Sequence, residues 1–295
     1  MNDPYMKDTG FMKGDDPFFP TAESGDGPFA VSREGKVTTT LLQQKRPISA
    51  LTAYDYPFAK IIDEAGIDII LVGDSVGVVV AGEENTLPVT MDQMIYHTRM
   101  VSRAVKRALV VGDMPFLSYQ PSVEETIRNA GRFLKEGGAE AVKLEGGAAI
   151  ADRILALTKY DIPVMAHIGL TPQSIHLMGG YKVQGRSARQ AQGLLDDAKE
   201  VESAGAFAVI LEGIPIGLAQ EITETVSIPT IGIGAGPYCD GQILVLHDLL
   251  GLSSSFHPKF VRCYADLTAI TAEAVRHFQS DICAGKFPTP EEGYE

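Results

Sequence analysis

The chain has 295 residues, 45% of them hydrophobic, a length that suits one large α/β barrel with a sizeable core. A net charge of −13 argues against a nucleic-acid backbone or an anionic lipid surface as partner, because both require basic surface. Three cysteines (Cys239, Cys263 and Cys283) form no CxxC pair and read as reduced thiols. No apolar run reaches the roughly 18 residues of a membrane span, and the N-terminus lacks the charged-then-apolar pattern of a secretion signal.

Residues 1–35 are rich in Asp, Gly and Pro and show no hydrophobic period. They read as a flexible acidic arm, with too little apolar surface to offset the entropy of ordering. Tyr5, Phe11, Phe18 and Phe19 could dock on a neighbouring subunit, but a solvated tail is the simpler expectation. Residues 36–295 form one predicted domain. In chain order, its strand-like runs are ISALTAY, IDIILVGD, ALVVGD, AEAVKLEG, IPVMAHIG, AFAVILEG and IPTIGIGAG, with ILVLHD as a weaker eighth. Thr90–Gln93, Ser122–Glu125 and Ser187–Gln190 each fit a capping box at a helix start. Helices run out at glycine in DEAG, KEGG and ESAG, each followed by a strand. The stretch KFVRCYADLTAITAEAVRHFQSDICAG reads as a long C-terminal helix, and KFPTPEEGYE as a tail. This β-then-α alternation predicts an α/β (β/α)8 TIM barrel, with a doubly wound open sheet as the alternative.

Four strand-like runs close on an acid: LVGDS on Asp74, VVGDMPF on Asp113, AVKLEGG on Glu145 and VILEGIP on Glu212. In a barrel these ends share one mouth, where barrel enzymes place their chemistry. As single residues they could be turn residues or N-caps. Together they would repel one another unless a cation or protons neutralised them. Acids without a Cys or His run favour a hard, oxygen-preferring cation such as Mg²⁺. Lys143 shares a strand side with Glu145, which suggests salt bridging, binding of a substrate carboxylate, or both. His167, also at a strand end, would by itself more often be a hydrogen-bonded core histidine. GIGAG (residues 232–236) lacks the GxGxxG spacing and reads as close backbone packing.

LTAYDYPFAK, ILVGDS, TLPVTMDQMIYHTR, ALVVGDMPF, AVKLEGG, HIGLTPQ, IPTIGIGAG and CDGQILVLHDLLGL, in this order, resemble the ketopantoate hydroxymethyltransferase (3-methyl-2-oxobutanoate hydroxymethyltransferase) family from about residue 45 to residue 290. The resemblance implies a barrel of the phosphoenolpyruvate/pyruvate type. It implies transfer of a one-carbon unit from 5,10-methylenetetrahydrofolate to 3-methyl-2-oxobutanoate, giving 2-dehydropantoate (ketopantoate) for pantothenate and coenzyme A synthesis. By resemblance, Asp74, Asp113 and Glu145 hold Mg²⁺. Asp74, Ser75, Asp113 and Lys143 contact the keto acid, His167 lines the site, and Glu212 accepts the C3 proton, leaving a Mg²⁺-stabilised enolate. A Glu212 seated among the apolar residues of FAVILE would have a raised pKa and be a stronger base. Cytoplasmic location and a large homo-oligomer, often a decamer, are also implied. The loops around Glu83 and Ser253–Ser255 depart from the expected pattern, leaving the folate contacts less defined. Two readings compete: a phosphoenolpyruvate mutase or isocitrate-lyase-like enzyme, and a silent barrel that binds a metal–keto-acid complex. The lyases commonly carry a catalytic-loop cysteine, and none occurs here before Cys239.

Overall fold

A computed structural model describes residues 46–252 and 258–294. The expected N-terminal arm and Ser253–Ser255 lie outside the described residues. Eight parallel strands close into a barrel in sequence order: β1 (Ile48–Thr52), β2 (Ile69–Val72), β3 (Leu109–Asp113), β4 (Ala141–Glu145), β5 (Val164–Gly169), β6 (Ala208–Glu212), β7 (Thr230–Ile233) and β8 (Gly241–Leu244). Pairing of β8 with β1 rules out the open-sheet alternative.

Alternation along each strand divides the core in two. Ala50, Ile69, Leu71, Leu109, Val111, Ala141, Met165, Ala208, Ile210, Ile231 and Ile243 fill the inside of the barrel. Ile70, Val72, Val110, Val142, Leu144, Val164, Ile168, Val209 and Leu211 face outward, toward the helices. Those helices are α1 (Tyr56–Glu64), α2 (Met91–Ala104), α3 (Val123–Arg132), α4 (Ala151–Lys159), α5 (Ala188–Ser203), α6 (Ile216–Thr225) and α7 (Leu267–Cys283), besides a few single turns. Thr90 and Ser187 form full capping boxes, whereas Ser122 accepts from the Glu125 N–H without the reciprocal bond.

Two expectations shift at the C-terminal end. The eighth strand, Gly241–Leu244, takes in only the first two residues of ILVLHD, and the last three enter a helical turn at Leu246–Leu249. Gly241 hides the strand because glycine is a poor strand former, yet a Cβ there would lie 2.6 Å from the Ile48 carbonyl oxygen. No helix separates β7 from β8. The last helix begins at Leu267, where Asp266 accepts from the Ala269 N–H (2.9 Å), so the KFVRCYAD portion stays outside it. None of the residues of α7 is buried.

Candidate active site

The period of two that packs the barrel also aims its polar residues. On β3, Leu109 and Val111 point inward, so Asp113 does too. On β4 the inward series runs Ala141, Lys143, Glu145; on β5, Met165 then His167; on β6, Ala208, Ile210, Glu212. Register then sets Asp113 beside Lys143 and Glu145 beside His167. Asp74 follows a different rule. It lies beyond the end of β2, and its backbone N–H donates to Asp113 Oδ2 (3.0 Å), which folds it back over the mouth. Ser75 follows, its Oγ 2.8 Å from the hydroxyl of buried Tyr54.

The strand-end acids are not on consecutive strands. β5 stands between the strands of Glu145 and Glu212, and its His167 bridges them. Nδ1 is 3.5 Å from Glu145 Oε1 and Nε2 is 3.2 Å from Glu212 Oε2. Neither ring nitrogen has an aligned hydrogen bond, so charge and proximity hold the ring. Gly169 allows β5 to reach β6 closely: with φ +95°, a Cβ there would sit 2.3 Å from the Glu212 carbonyl oxygen. Leu170 N–H donates to that same oxygen at 2.8 Å.

Lys143 sits at the centre. Its Nζ donates to Asp113 Oδ1 (2.8 Å), Asp113 Oδ2 (2.9 Å) and Glu145 Oε1 (3.2 Å), engaging all three N–H bonds. Of the two roles expected for it, salt bridging is the one displayed. Burial would lower its pKa, but the carboxylates of Asp113, Glu145 and Asp74 outweigh burial and raise it well above the ordinary value. Burial raises Asp74, with Asp113 and Glu145 adding to the effect. Burial also raises Asp113, against the pull of Lys143. For Glu145, Lys143 and His167 overcome burial and lower it to about 2. Burial and Lys143 disfavour charge on His167, but Glu145 and Glu212 prevail and raise it to about 9. At neutral pH His167 is therefore an imidazolium and not a free base.

Glu212 differs from the other acids. Its side chain is 16% exposed, against 2% for Asp113 and Glu145, so it is the acid open to the mouth. The expected apolar seat is absent, since its carboxylate faces the His167 ring. Sequence reasoning also passed over two buried residues of the same cluster. Gln173, in the turn after β5, donates through Nε2 to Asp74 Oδ2 and to the Met114 carbonyl (both 2.9 Å). Its backbone N–H donates to Glu145 Oε2 (3.0 Å). The hydroxyl of Tyr119 lies 2.8 Å from Gln173 Oε1 and accepts from the Glu145 N–H. Both residues lie within or next to conspicuous motifs, but no local spacing marks a contact 99 residues away in sequence. Half-exposed Tyr181 is within electrostatic reach of the cluster: its phenol is raised by burial and then by the charges of Glu212, Asp74 and Glu145.

Four carboxylates here face two cationic groups, Lys143 and His167, an imbalance suited to a divalent cation. Among the described residues, no group of three or more His, Cys, Asp and Glu forms a cage able to hold a metal. Mg²⁺ needs none: it takes one or two carboxylates and keeps waters, with positions left for substrate oxygens.

A family profile described as ketopantoate hydroxymethyltransferase matches residues 36–290. The chain belongs to the ketopantoate hydroxymethyltransferase family. It is 64% identical over 241 residues to the 3-methyl-2-oxobutanoate hydroxymethyltransferase of Geobacter metallireducens, covering 82% of this chain and 90% of that one. It is 61% identical over 259 residues to the protein of the same name from Geotalea daltonii, covering 86% and 97%. Among solved structures, it is similar to phosphonopyruvate hydrolase in complex with oxalate and Mg²⁺ (TM-score 0.57, 14% identity, 87% of this chain and 92% of that one). It is also similar to the phosphoenolpyruvate phosphomutase of Streptomyces platensis subsp. rosaceus (TM-score 0.56, 16% identity, 88% and 91%). At such identities the structural likeness shows the shared barrel alone. Membership of the ketopantoate hydroxymethyltransferase family rests on the sequence matches.

Proposed function

We propose that this enzyme transfers a hydroxymethyl group from 5,10-methylenetetrahydrofolate to 3-methyl-2-oxobutanoate, forming 2-dehydropantoate for pantothenate and coenzyme A synthesis. The observation that carries this reading is the convergence of Asp74, Asp113, Glu145, Lys143 and His167 at the barrel mouth, with Glu212 as the acid open to solvent. Asp74 and Asp113 would hold Mg²⁺, with Glu145 beside them directly or through a water. Bound there, the cation would supply Lewis-acid stabilisation for the negative charge that develops on the keto oxygen.

The protein's own groups do the rest. Asp74, Ser75, Asp113 and Lys143 surround the keto acid and orient it, and Ser75 is steadied by the Tyr54 hydroxyl. Glu212 removes the C3 proton onto its carboxylate, and the electron pair of the broken C–H bond becomes the enolate. His167, between Glu145 and Glu212, holds the Glu212 side chain at the mouth. The enolate carbon bonds to the methylene carbon of the folate iminium as the C=N π pair moves to nitrogen; water then replaces nitrogen on that carbon, breaking the C–N bond and releasing tetrahydrofolate and 2-dehydropantoate.

The family resemblance carries the cytoplasmic location we propose; no helix among the described residues is long and apolar enough to cross a membrane. Ile270, Val275 and Phe278 are at least half exposed on α7, which supports assembly into a homo-oligomer, and the family resemblance suggests a decamer. The test incubates protein, Mg²⁺, 3-methyl-2-oxobutanoate and methylenetetrahydrofolate and looks for ketopantoate. Ketopantoate formation that stops with EDTA is expected. No product at any Mg²⁺ concentration would refute the reading.

A further inference from the structure

Among the carboxylates of the cluster, Asp74 is the one whose direction the barrel does not set. Asp113 and Glu145 are placed by strand register and clasped by Lys143. Asp74 stands past the end of β2, and the side-chain hydrogen bond that orients it comes from Gln173 Nε2 to Oδ2 at 2.9 Å. The Gln173 amide is itself fixed on both sides. Its oxygen accepts from Gln120 Nε2 (3.2 Å) and faces the Tyr119 hydroxyl at 2.8 Å, nearer than that hydroxyl's other acceptor, the Glu145 carbonyl at 3.0 Å. Its nitrogen therefore must face its two acceptors, Asp74 Oδ2 and the Met114 carbonyl. An amide turned over would set oxygen against oxygen at both. The same residue's backbone N–H holds Glu145 Oε2 at 3.0 Å. One buried residue thus ties the loop after β5 to acids from β2 and β4.

We infer that Gln173 is the positioning residue that locks Asp74 for cation binding, occupying Oδ2 so that Oδ1 faces the metal, with Tyr119 as the brace that keeps the amide from turning. The inference rests on the cation reading above and adds a residue to it. Partners that orient metal-binding groups from outside contribute to affinity before any substrate arrives, because they hold the ligand in place in the empty site.

The experiment titrates Mn²⁺ into EDTA-treated, dialysed protein without keto acid or folate, following free Mn²⁺ by electron paramagnetic resonance. Gln173→Met removes the donor and keeps the side chain's bulk and the backbone N–H. It should weaken Mn²⁺ binding by about 10- to 100-fold. The rise in Tm that Mn²⁺ gives should shrink accordingly. A purely structural role would instead lower Tm equally with and without Mn²⁺ and leave its affinity unchanged, which would overturn the inference. Should Gln173→Met fail to fold, Tyr119→Phe carries the test. Loss of the brace should weaken Mn²⁺ by about 2- to 10-fold, and unchanged affinity would overturn the role of Gln173. Uptake by the wild type that neither variant alters defeats this inference alone. No uptake by the wild type defeats the cation reading, and this inference with it.

Discussion

Lys143→Met removes the cation at the centre of the cluster while keeping most of its volume. Three hydrogen bonds disappear, two to Asp113 and one to Glu145, all within a region only 2–4% exposed. Removing one partner of a buried ion pair costs about 3–5 kcal/mol, because the other partner is left charged and dry. Proton uptake limits that cost. Asp74 and Asp113 already have raised pKa values, so without Lys143 they take up protons more readily, and the penalty grows as pH rises. At about 2–4 °C per kcal/mol for a large domain, the variant should melt roughly 6–20 °C below wild type at pH 8. The gap should narrow at pH 5, where protons replace the ammonium. Scanning calorimetry in EDTA at both pH values makes the comparison, and saturating Mg²⁺ at pH 8 should recover part of the loss. A variant that melts with the wild type at both pH values would show that the acids do not depend on Lys143, and the electrostatic account would fail.

Asp113→Asn should stay folded by circular dichroism yet lose metal-dependent turnover, and wild-type activity at low Mg²⁺ would remove Asp113 from the cation site. For His167, the folded pKa of about 9 lies above the unfolded value of 6.5, so its stabilisation is complete below pH 6.5 and is lost as pH climbs through 9. That difference corresponds to about 3 kcal/mol. Urea titrations of metal-free protein from pH 6 to 10 should therefore show a fall in stability that His167→Gln lacks, and parallel curves for the two proteins would refute it.

The barrel was legible because its signals are local and repeated. Buried strands show as short apolar runs such as IDIILV, and Thr90 and Ser187 announce their helices through their own backbones. The β8 register was obscured by Gly241, a residue present for close contact with Ile48 rather than for strand propensity. Period-two reasoning did anticipate that Lys143 and Glu145 share a side, and the barrel interior is that side. IPVMAHIG did put a strand ending in His167 between Glu145 and Glu212, but nothing local shows that its ring reaches both carboxylates. Gln173 and Tyr119 were missed for the same reason. A neutral amide and a phenol lack the charge imbalance that makes a strand-end aspartate conspicuous, and their partners are assembled only when separate strand ends meet.

The most direct test of the proposed chemistry isolates the proton transfer from the folate step. Wild type and Glu212→Gln are each mixed with 3-methyl-2-oxobutanoate and Mg²⁺ in deuterated water, without folate, and the C3 proton is followed by nuclear magnetic resonance. Glutamine keeps the shape and hydrogen bonding of Glu212 but cannot accept the proton. The wild type should exchange the C3 proton, and the variant should do so about 10²- to 10⁴-fold more slowly, the usual contribution of a positioned base. Exchange at the wild-type rate in the Gln variant would contradict the assignment of Glu212 as the base.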